Sequence, residues 1–178
     1  MMNKLTLILR HLWLDASDAE RVIPPDVLTR VTQRVAASER RHSGEIRICV
    51  EASLPLSYLA RVGSRSPLPK VIRERAIAMF GKLGVWDTAQ NNGVLIYVLL
   101  AEHAIEIVAD RGLNTHVTPE QWKTLVVHMG AAFREKRYED GLTHGLEETS
   151  AVLMQHFALT PGQAFDNVNE LPDAPQLQ

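Results

Sequence analysis

The segment from Trp86 to Gly112 constrains the fold of this 178-residue chain more than any other. A polar, turn-rich stretch leads into the apolar run 94–100, the chain reverses, and residues 104–109 return as a half-apolar stretch. A run that is apolar on both faces is typical of a central strand covered by helices, whereas alternation is typical of a strand with one wet face. The segment therefore predicts a β-hairpin whose first strand lies inside a sheet that helices cover.

The rest of the periodicity places helices around this hairpin, in the order α-β-α-β-β-α-α. The first predicted strand, residues 45–51, alternates apolar and charged side chains, which indicates one wet face and a position near a sheet edge. A helical stripe over residues 71–83 connects this strand to the hairpin, so the first two strands should be parallel with a right-handed crossover. We predict a three-layer α/β/α sandwich with a small mixed sheet, a parallel first pair plus the antiparallel hairpin.

The chain divides into three predicted parts. Residues 1–24 form an N-terminal amphipathic segment, residues 25–158 form the α/β/α domain, and residues 159–178 form a tail whose polar composition predicts disorder. The apolar run near the start is too short for a secretory signal or a membrane span, so we expect a cytoplasmic protein. Residues 5–13 can either pack on the domain or touch a membrane surface as a peripheral contact.

Composition limits the remaining classes of function. The net charge is −2 and no basic stripe stands out, so nucleic acid is not an expected partner. The single cysteine, Cys49, lies in an apolar run, which fits a small buried hydrophobe in a reducing compartment. We find no glycine-rich phosphate loop and no nucleophile elbow, and therefore expect no organic cofactor.

The predicted topology brings polar side chains to one edge of the sheet, because parallel strands begin at the same edge where the hairpin's second strand ends. The residues expected there are Ser43, Glu45, Asp87, Asn91, Asn92, Asp110 and Arg111. Oxygen ligands without cysteine or a histidine pair suit a hard cation, Ca²⁺ or Mg²⁺. The alternative is that Asn-Asn-Gly is ordinary turn chemistry and that Asp110 and Arg111 form a local ion pair.

Several of these stretches resemble the TPM domain, the family named after thylakoid lumen phosphatase-like, photosystem repair and MOLO-type proteins. The resemblance covers about residues 25–157. It is carried by residues 43–46, by Trp86 and the Asn91-Asn92-Gly93-Val94-Leu95-Ile96 stretch, by 105–112, and by Phe133, 138–142 and Gly145.

The resemblance implies an α/β/α sandwich and two competing functions, since a plant chloroplast member is described as an acid phosphatase and some bacterial members look like calcium-binding modules. When the acidic residues of the family are carried over to this sequence, the acidic edge comprises Asp87 and Asp110. Asn91, Asn92 and Glu45 are further candidate metal ligands. The chain departs from the family where many members have Gly-aromatic-Gly, because Asp110-Arg111 here precedes a single glycine. It also shows neither the signal peptide nor the C-terminal membrane helix of typical members.

Two functional hypotheses follow. The first is a non-enzymatic binding module, dependent on a divalent cation, that docks a protein partner or helps to maintain membrane proteins. The second is a metal-assisted acid-phosphatase-like hydrolase of phosphomonoesters, in which Asp110 or Asp87 holds the metal and Arg111 stabilises charge on the phosphoryl oxygens. Asp110 and Arg111 are the candidate catalytic residues of this second hypothesis.

Overall fold

The computed structural model describes residues 4–160 and 168–178 of the chain. They form the following helices and strands: α1 (Lys4–Leu12), α2 (Ala16–Val22), α3 (Pro25–Glu39), β1 (Ile46–Glu51), α4 (Leu56–Arg61), α5 (Leu68–Lys82), β2 (Val94–Leu99), β3 (Ala104–Ala109), α6 (Pro119–Arg134), α7 (Tyr138–Phe157) and β4 (Gln176–Leu177). No helix in these described ranges is long and apolar enough to cross a membrane.

The sheet has the strand order β3-β2-β1-β4. Strands β1 and β2 are parallel, with Ile46 opposite Val94, and β2 and β3 are antiparallel, with Ile96 opposite Ile107. Both faces are covered, by α3, α6 and α7 on one side and by α4 and α5 on the other. The predicted α/β/α sandwich with a parallel first pair and an antiparallel hairpin is therefore confirmed.

Local sequence signals set several element ends. Thr118 caps α6 by accepting a hydrogen bond from the Gln121 backbone N–H, and the Gln121 side chain returns a bond to the Thr118 N–H. Pro119 follows at the first helical position, where its missing N–H leaves no bond unmade. Helix α1 packs through Leu7 and His11 while Trp13 stays exposed, so the N-terminal segment joins the domain but keeps an open apolar face.

Strand β1 differs from its prediction, since it is a central strand and all six of its residues are buried. The expected wet face and edge position are wrong because two other parts of the chain cover the charged side chains. Arg47 donates to the carbonyl oxygens of Pro172 and Ala174. Glu51 is held by Arg75, with Nη2 2.6 Å from Oε1, and accepts the Tyr97 hydroxyl proton at 2.6 Å.

The C-terminal segment, residues 168–178, runs along β1, in place of the disorder that its composition predicts. Strand β4 pairs in parallel with β1, Cys49 lies opposite Gln176, and the Gln178 N–H donates to Val50 O at 3.1 Å. Backbone hydrogen bonds of this kind are independent of side-chain hydrophobicity, so a polar segment can be ordered by docking on a strand. Residues 161–167 of the predicted tail lie outside the described residues.

Candidate functional site at the sheet edge

The loop between α5 and β2 is built from two successive turns. Gly84 has a φ of +70° and ends α5, and the Asp87 N–H donates to Gly84 O at 2.9 Å. The Asn91 N–H then donates to Thr88 O at 3.1 Å, and Asn91 itself adopts a left-handed φ of +52°, which asparagine tolerates well. These turns aim Asn91 and Asn92 at the end of the hairpin.

Two glycines permit the close approach that forms this edge. A Cβ atom on Gly93 would lie 2.0 Å from Val85 O, and one on Gly112 would lie 2.5 Å from Asn91 O. The hairpin is closed by backbone bonds of 2.9 Å from Asp110 N to Gly93 O and from Gly112 N to Asn91 O. The Asn-Asn-Gly and Asp-Arg-Gly sequences thus meet because neither glycine has a side chain to keep them apart.

Asn91, Asp110 and Arg111 are in contact at this edge. Arg111 Nε donates to Asn91 Oδ1 at 2.9 Å, and the Arg111 backbone N–H donates to Asp110 Oδ1 at 2.7 Å. The guanidinium therefore binds the asparagine rather than the carboxylate of its neighbour. Asp110 is 9% exposed, and its Oδ2 atom is buried without a hydrogen-bond partner among the described residues.

A second polar group lies beside it and includes residues that sequence reasoning missed. Asn92 is fully buried; its Nδ2 donates to Ser43 Oγ at 3.2 Å and its backbone N–H donates to Thr88 Oγ1 at 3.1 Å. The Ser43 hydroxyl donates a hydrogen bond to Gln90 Oε1 at 2.9 Å. Asn92 Oδ1 is buried without a partner in the part of the chain that the structure describes. Thr88 and Gln90 could have been found from their place in the turn sequence before Asn91.

Glu45 and Asp87 do not join these contacts. The Glu45 carboxylate instead accepts the backbone N–H groups of Glu170 and Leu171, at 3.2 and 3.3 Å, and burial raises its pKa. The Val94 N–H donates to Glu45 O and the Asp110 N–H to Gly93 O, so the backbones of Glu45 and Asp110 lie on opposite sides of the start of β2. Asp87 is exposed. Residues 4–160 and 168–178 contain no group of three His, Cys, Asp or Glu side chains placed to hold a metal ion.

Glu39 is a buried acid that the sequence reading overlooked. Its Oε1 accepts the Ile46 N–H at 2.9 Å, and burial raises the pKa of its carboxyl to about 9, with Glu45 and Asp173 nearby adding to the shift. It lies four residues after Val35 on the buried stripe of α3. A charged residue at that spacing is the signal that could have identified it.

A buried histidine–serine pair holds the turn that carries Ser43. His42 is fully buried, with Nδ1 2.9 Å from Gly44 O and Nε2 3.1 Å from Ser150 Oγ. A carbonyl can only accept, so Nδ1 donates and Nε2 accepts the Ser150 hydroxyl proton. Burial lowers the pKa of His42 to about 4, and the ring is therefore neutral at neutral pH.

The edge as a whole presents desolvated oxygen acceptors. Asn92 Oδ1 and Asp110 Oδ2 belong to residues of adjoining loops, and both are buried without a donor among the described residues. Buried polar atoms are nearly always satisfied, so such a pair of acceptors favours a bound donor or cation. Amide and carboxylate oxygens are ligands of hard divalent ions.

Solved structures and family models show what the chain is similar to. It is similar to the NMR structure of the BA42 protein from the psychrophilic bacterium Bizionia argentinensis, with a TM-score of 0.68, 24% identity, and coverage of 85% of this chain and 92% of that one. It is also similar to the N-terminal domain of a protein from P. gingivalis, with a TM-score of 0.57, 18% identity, and coverage of 90% and 98%. These likenesses concern the fold.

None of the curated proteins matches the chain. The family model of the TPM domain matches residues 16–152, which is most of the length of this chain. The chain therefore belongs to the TPM domain family.

Proposed function

We propose that this chain is a binding module that holds a divalent cation, Ca²⁺ or Mg²⁺, at the sheet edge and acts in protein interaction. The observation that carries the proposal is the pair of buried, unpartnered oxygens, Asn92 Oδ1 and Asp110 Oδ2. A cation bound by both oxygens would satisfy two buried acceptors, and it would compensate the charge of a carboxylate that is 9% exposed. Asn92 and Asp110 are the ligands we assign first.

The other predicted ligands fit this role less closely. Asn91 Oδ1 already accepts from Arg111, and the Glu45 carboxylate already accepts two backbone N–H groups. Asp87, on the exposed part of the loop, is free of these particular contacts and remains a candidate. With so few charged ligands we expect weak binding, with a Kd on the order of 10⁻⁴ to 10⁻³ M.

The test is a Ca²⁺ and Mg²⁺ titration of the ¹⁵N-labelled full chain, followed by NMR. We expect shifts confined to residues 87–93 and 110–112, and their loss in Asp110→Asn, which keeps an oxygen for the Arg111 N–H. Glu147→Gln, which removes one negative charge from the exposed face of α7, should leave the shifts unchanged. An unchanged wild-type spectrum at millimolar ion, or the same response from Asp110→Asn, would refute the cation site.

Hydrolysis of phosphomonoesters remains the alternative prediction. At this edge Arg111 donates a hydrogen bond to Asn91. The Ser43 hydroxyl donates a hydrogen bond to the amide oxygen of Gln90, which is not a base. An activated nucleophile needs a base within hydrogen-bond reach, so these contacts favour binding over catalysis. Turnover of p-nitrophenyl phosphate that requires the metal and disappears in Asp110→Asn would reverse this preference.

We further propose that residues 5–13 make a peripheral membrane contact, in a protein that we place in the cytoplasm. Leu9, Leu12 and Trp13 are 48%, 60% and 84% exposed, and they follow the buried Leu7 within and just after α1. Flotation with vesicles of phosphatidylcholine and phosphatidylglycerol tests the contact. Trp13→Ser should reduce flotation and Trp86→Ser, which changes a half-exposed tryptophan elsewhere, should not; equal flotation of both variants would refute it.

A further inference from the structure

In the part of the chain that the structure describes, no strand pairs with the outer edge of β3. Strand β3 is the first strand in the order, and the bonds from Asp110 N to Gly93 O and from Gly112 N to Asn91 O fix the phase of its pairing with β2. In an antiparallel pair, alternate residues exchange both hydrogen bonds with the partner strand. Even-numbered residues of β3 therefore bond β2, and the N–H and C=O groups of Ile105, Ile107 and Ala109 point away from it.

A groove of about 540 Å³ follows this edge between the two helix layers. Its apolar wall, on the side of α6, consists of Ile105, Ile107, Val117, Pro119, Trp122 and Val126. Trp122 and Val126 are only partly buried, so both keep surface for a further contact. An open strand edge beside a helix with apolar side chains is the geometry in which domains add a peptide as an extra strand.

The charges at the groove favour an acidic occupant. Arg73, from α5, donates through Nη1 to Ile107 O at 2.5 Å and to Glu106 Oε2 at 3.1 Å. Lys123 is exposed at the other rim, and no ion pair within residues 4–160 and 168–178 engages it. Burial raises the pKa of Glu106, although Arg73 opposes this shift. Two cations and one carboxylate leave the groove with an excess of positive charge.

We propose that this groove binds an extended peptide segment of a partner protein, which adds a strand beside β3. Apolar side chains of the segment cover Trp122 and Val126, and a carboxylate on it takes Arg73 from Ile107 O and pairs with it. The freed Ile107 carbonyl then accepts a backbone N–H of the incoming strand. Charged residues commonly protect open sheet edges from pairing. Arg73 protects the edge of β3 in this way until the partner binds.

A second copy of the chain is a poorer occupant than an acidic peptide. A two-fold contact between β3 edges uses the same patch on both copies, so each copy would bring its own Arg73 and Lys123 to the interface. Each copy would also bring its Glu106, but both grooves keep an excess of positive charge, and like net charges brought together oppose association. The inference rests on the proposed role as a binding module, but it does not require the cation.

The experiment is selection of a phage-displayed library of random peptides on the full chain, followed by NMR with a synthetic copy of the most enriched peptide. Enriched sequences should alternate apolar residues with Asp or Glu. On binding, the outward amides of Ile105, Ile107 and Ala109 should exchange more slowly with solvent. The amides of Glu106 and Val108, already bonded to β2, should change little.

Variants separate this docking from a general effect of charge or folding. Lys123→Glu should weaken peptide binding roughly tenfold, about 1.4 kcal/mol. Lys70→Glu makes the same charge change on α5 outside the groove and should leave the affinity unchanged. Ala109→Pro removes one outward N–H without removing a bond to β2, so it should weaken binding in a chain whose spectrum stays folded.

Three results would overturn the inference: no enriched peptide, peptide-induced changes elsewhere on the chain, or protection of the outward amides that depends on protein concentration alone. The third result would identify self-pairing of the chain. Cation-induced shifts at Asn92 and Asp110 are read in a separate titration. If they persist while peptide binding fails, only this inference falls; if both fail, the proposed binding role falls with it.

Discussion

The buried His42 should make the fold lose stability as the pH falls. Its pKa is about 4 in the folded chain and near the ordinary value of 6.5 in the unfolded chain. Between these values the unfolded state binds the proton and the folded state does not, so the free energy of unfolding decreases as the pH decreases. Each pH unit in this interval removes about 1.4 kcal/mol, which gives a loss of about 3 kcal/mol by pH 4.

A substitution that cannot titrate isolates this effect. His42→Gln should cost roughly 1–3 kcal/mol at neutral pH, because one side-chain amide cannot reproduce the bonds to both Gly44 O and Ser150 Oγ. The raised pKa values of Glu39 and Glu45 act in the opposite direction. The folded state holds the protons of these carboxyls more tightly than the unfolded state does, so they lower the free energy of unfolding as the pH rises. Both carboxyl groups are present in wild type and variant, and their effects cancel in the comparison.

The assay is urea unfolding followed by tryptophan fluorescence, at a series of pH values from neutral down to about 4. Across the series the free energy of unfolding of wild type should fall by about 3 kcal/mol relative to that of His42→Gln, so the variant should be at least as stable as wild type near pH 4. His144→Gln, an exposed change on α7, is the control and should follow the wild-type curve. A difference between wild type and His42→Gln that stays constant with pH would refute the assignment of a neutral, buried histidine.

Three further predictions concern the stability of the fold. Gly93→Ala should destabilise the fold by about 1–3 kcal/mol, because the new methyl group meets a backbone oxygen, whereas Gly81→Ala, with open space around it, should not; thermal unfolding compares them, and equal melting temperatures would contradict this. Arg75→Ala should cost about 3 kcal/mol because it leaves a buried glutamate unpaired. Arg30→Ala breaks two solvent-accessible ion pairs, with Asp26 and Glu139, and should have little effect on urea unfolding; a loss of stability as large as that of Arg75→Ala would be evidence against burial as the cause. Removal of residues 168–178 should cost about 3 kcal/mol or more, since it takes the acceptors from a buried arginine and exposes the β1 edge; unchanged amide exchange in β1 would show that the segment does not dock.

The local patterns of the sequence determined the central part of the fold. The apolar run of β2, the alternation in β3 and the helical stripe of α5 are repeats of short period, and each follows from the backbone geometry of one element. Connection rules then sufficed to predict that β1 and β2 are parallel and that β3 is antiparallel. The meeting of Asn91 with Arg111 followed from the same topology, since both residues adjoin the hairpin's open end.

Only the tertiary structure decided which polar groups are satisfied. Glu45 and Arg47 looked like solvent-facing residues of an edge strand, but the C-terminal segment, about 125 positions away, provides their partners. The same segment makes β1 a central strand, although its composition predicts disorder. Neither hydrophobic period nor turn chemistry carries information about backbone bonds between such distant residues. The unpartnered oxygens of Asn92 and Asp110 likewise could not be identified from the sequence, because they depend on the positions of all neighbouring hydrogen-bond donors in the tertiary structure.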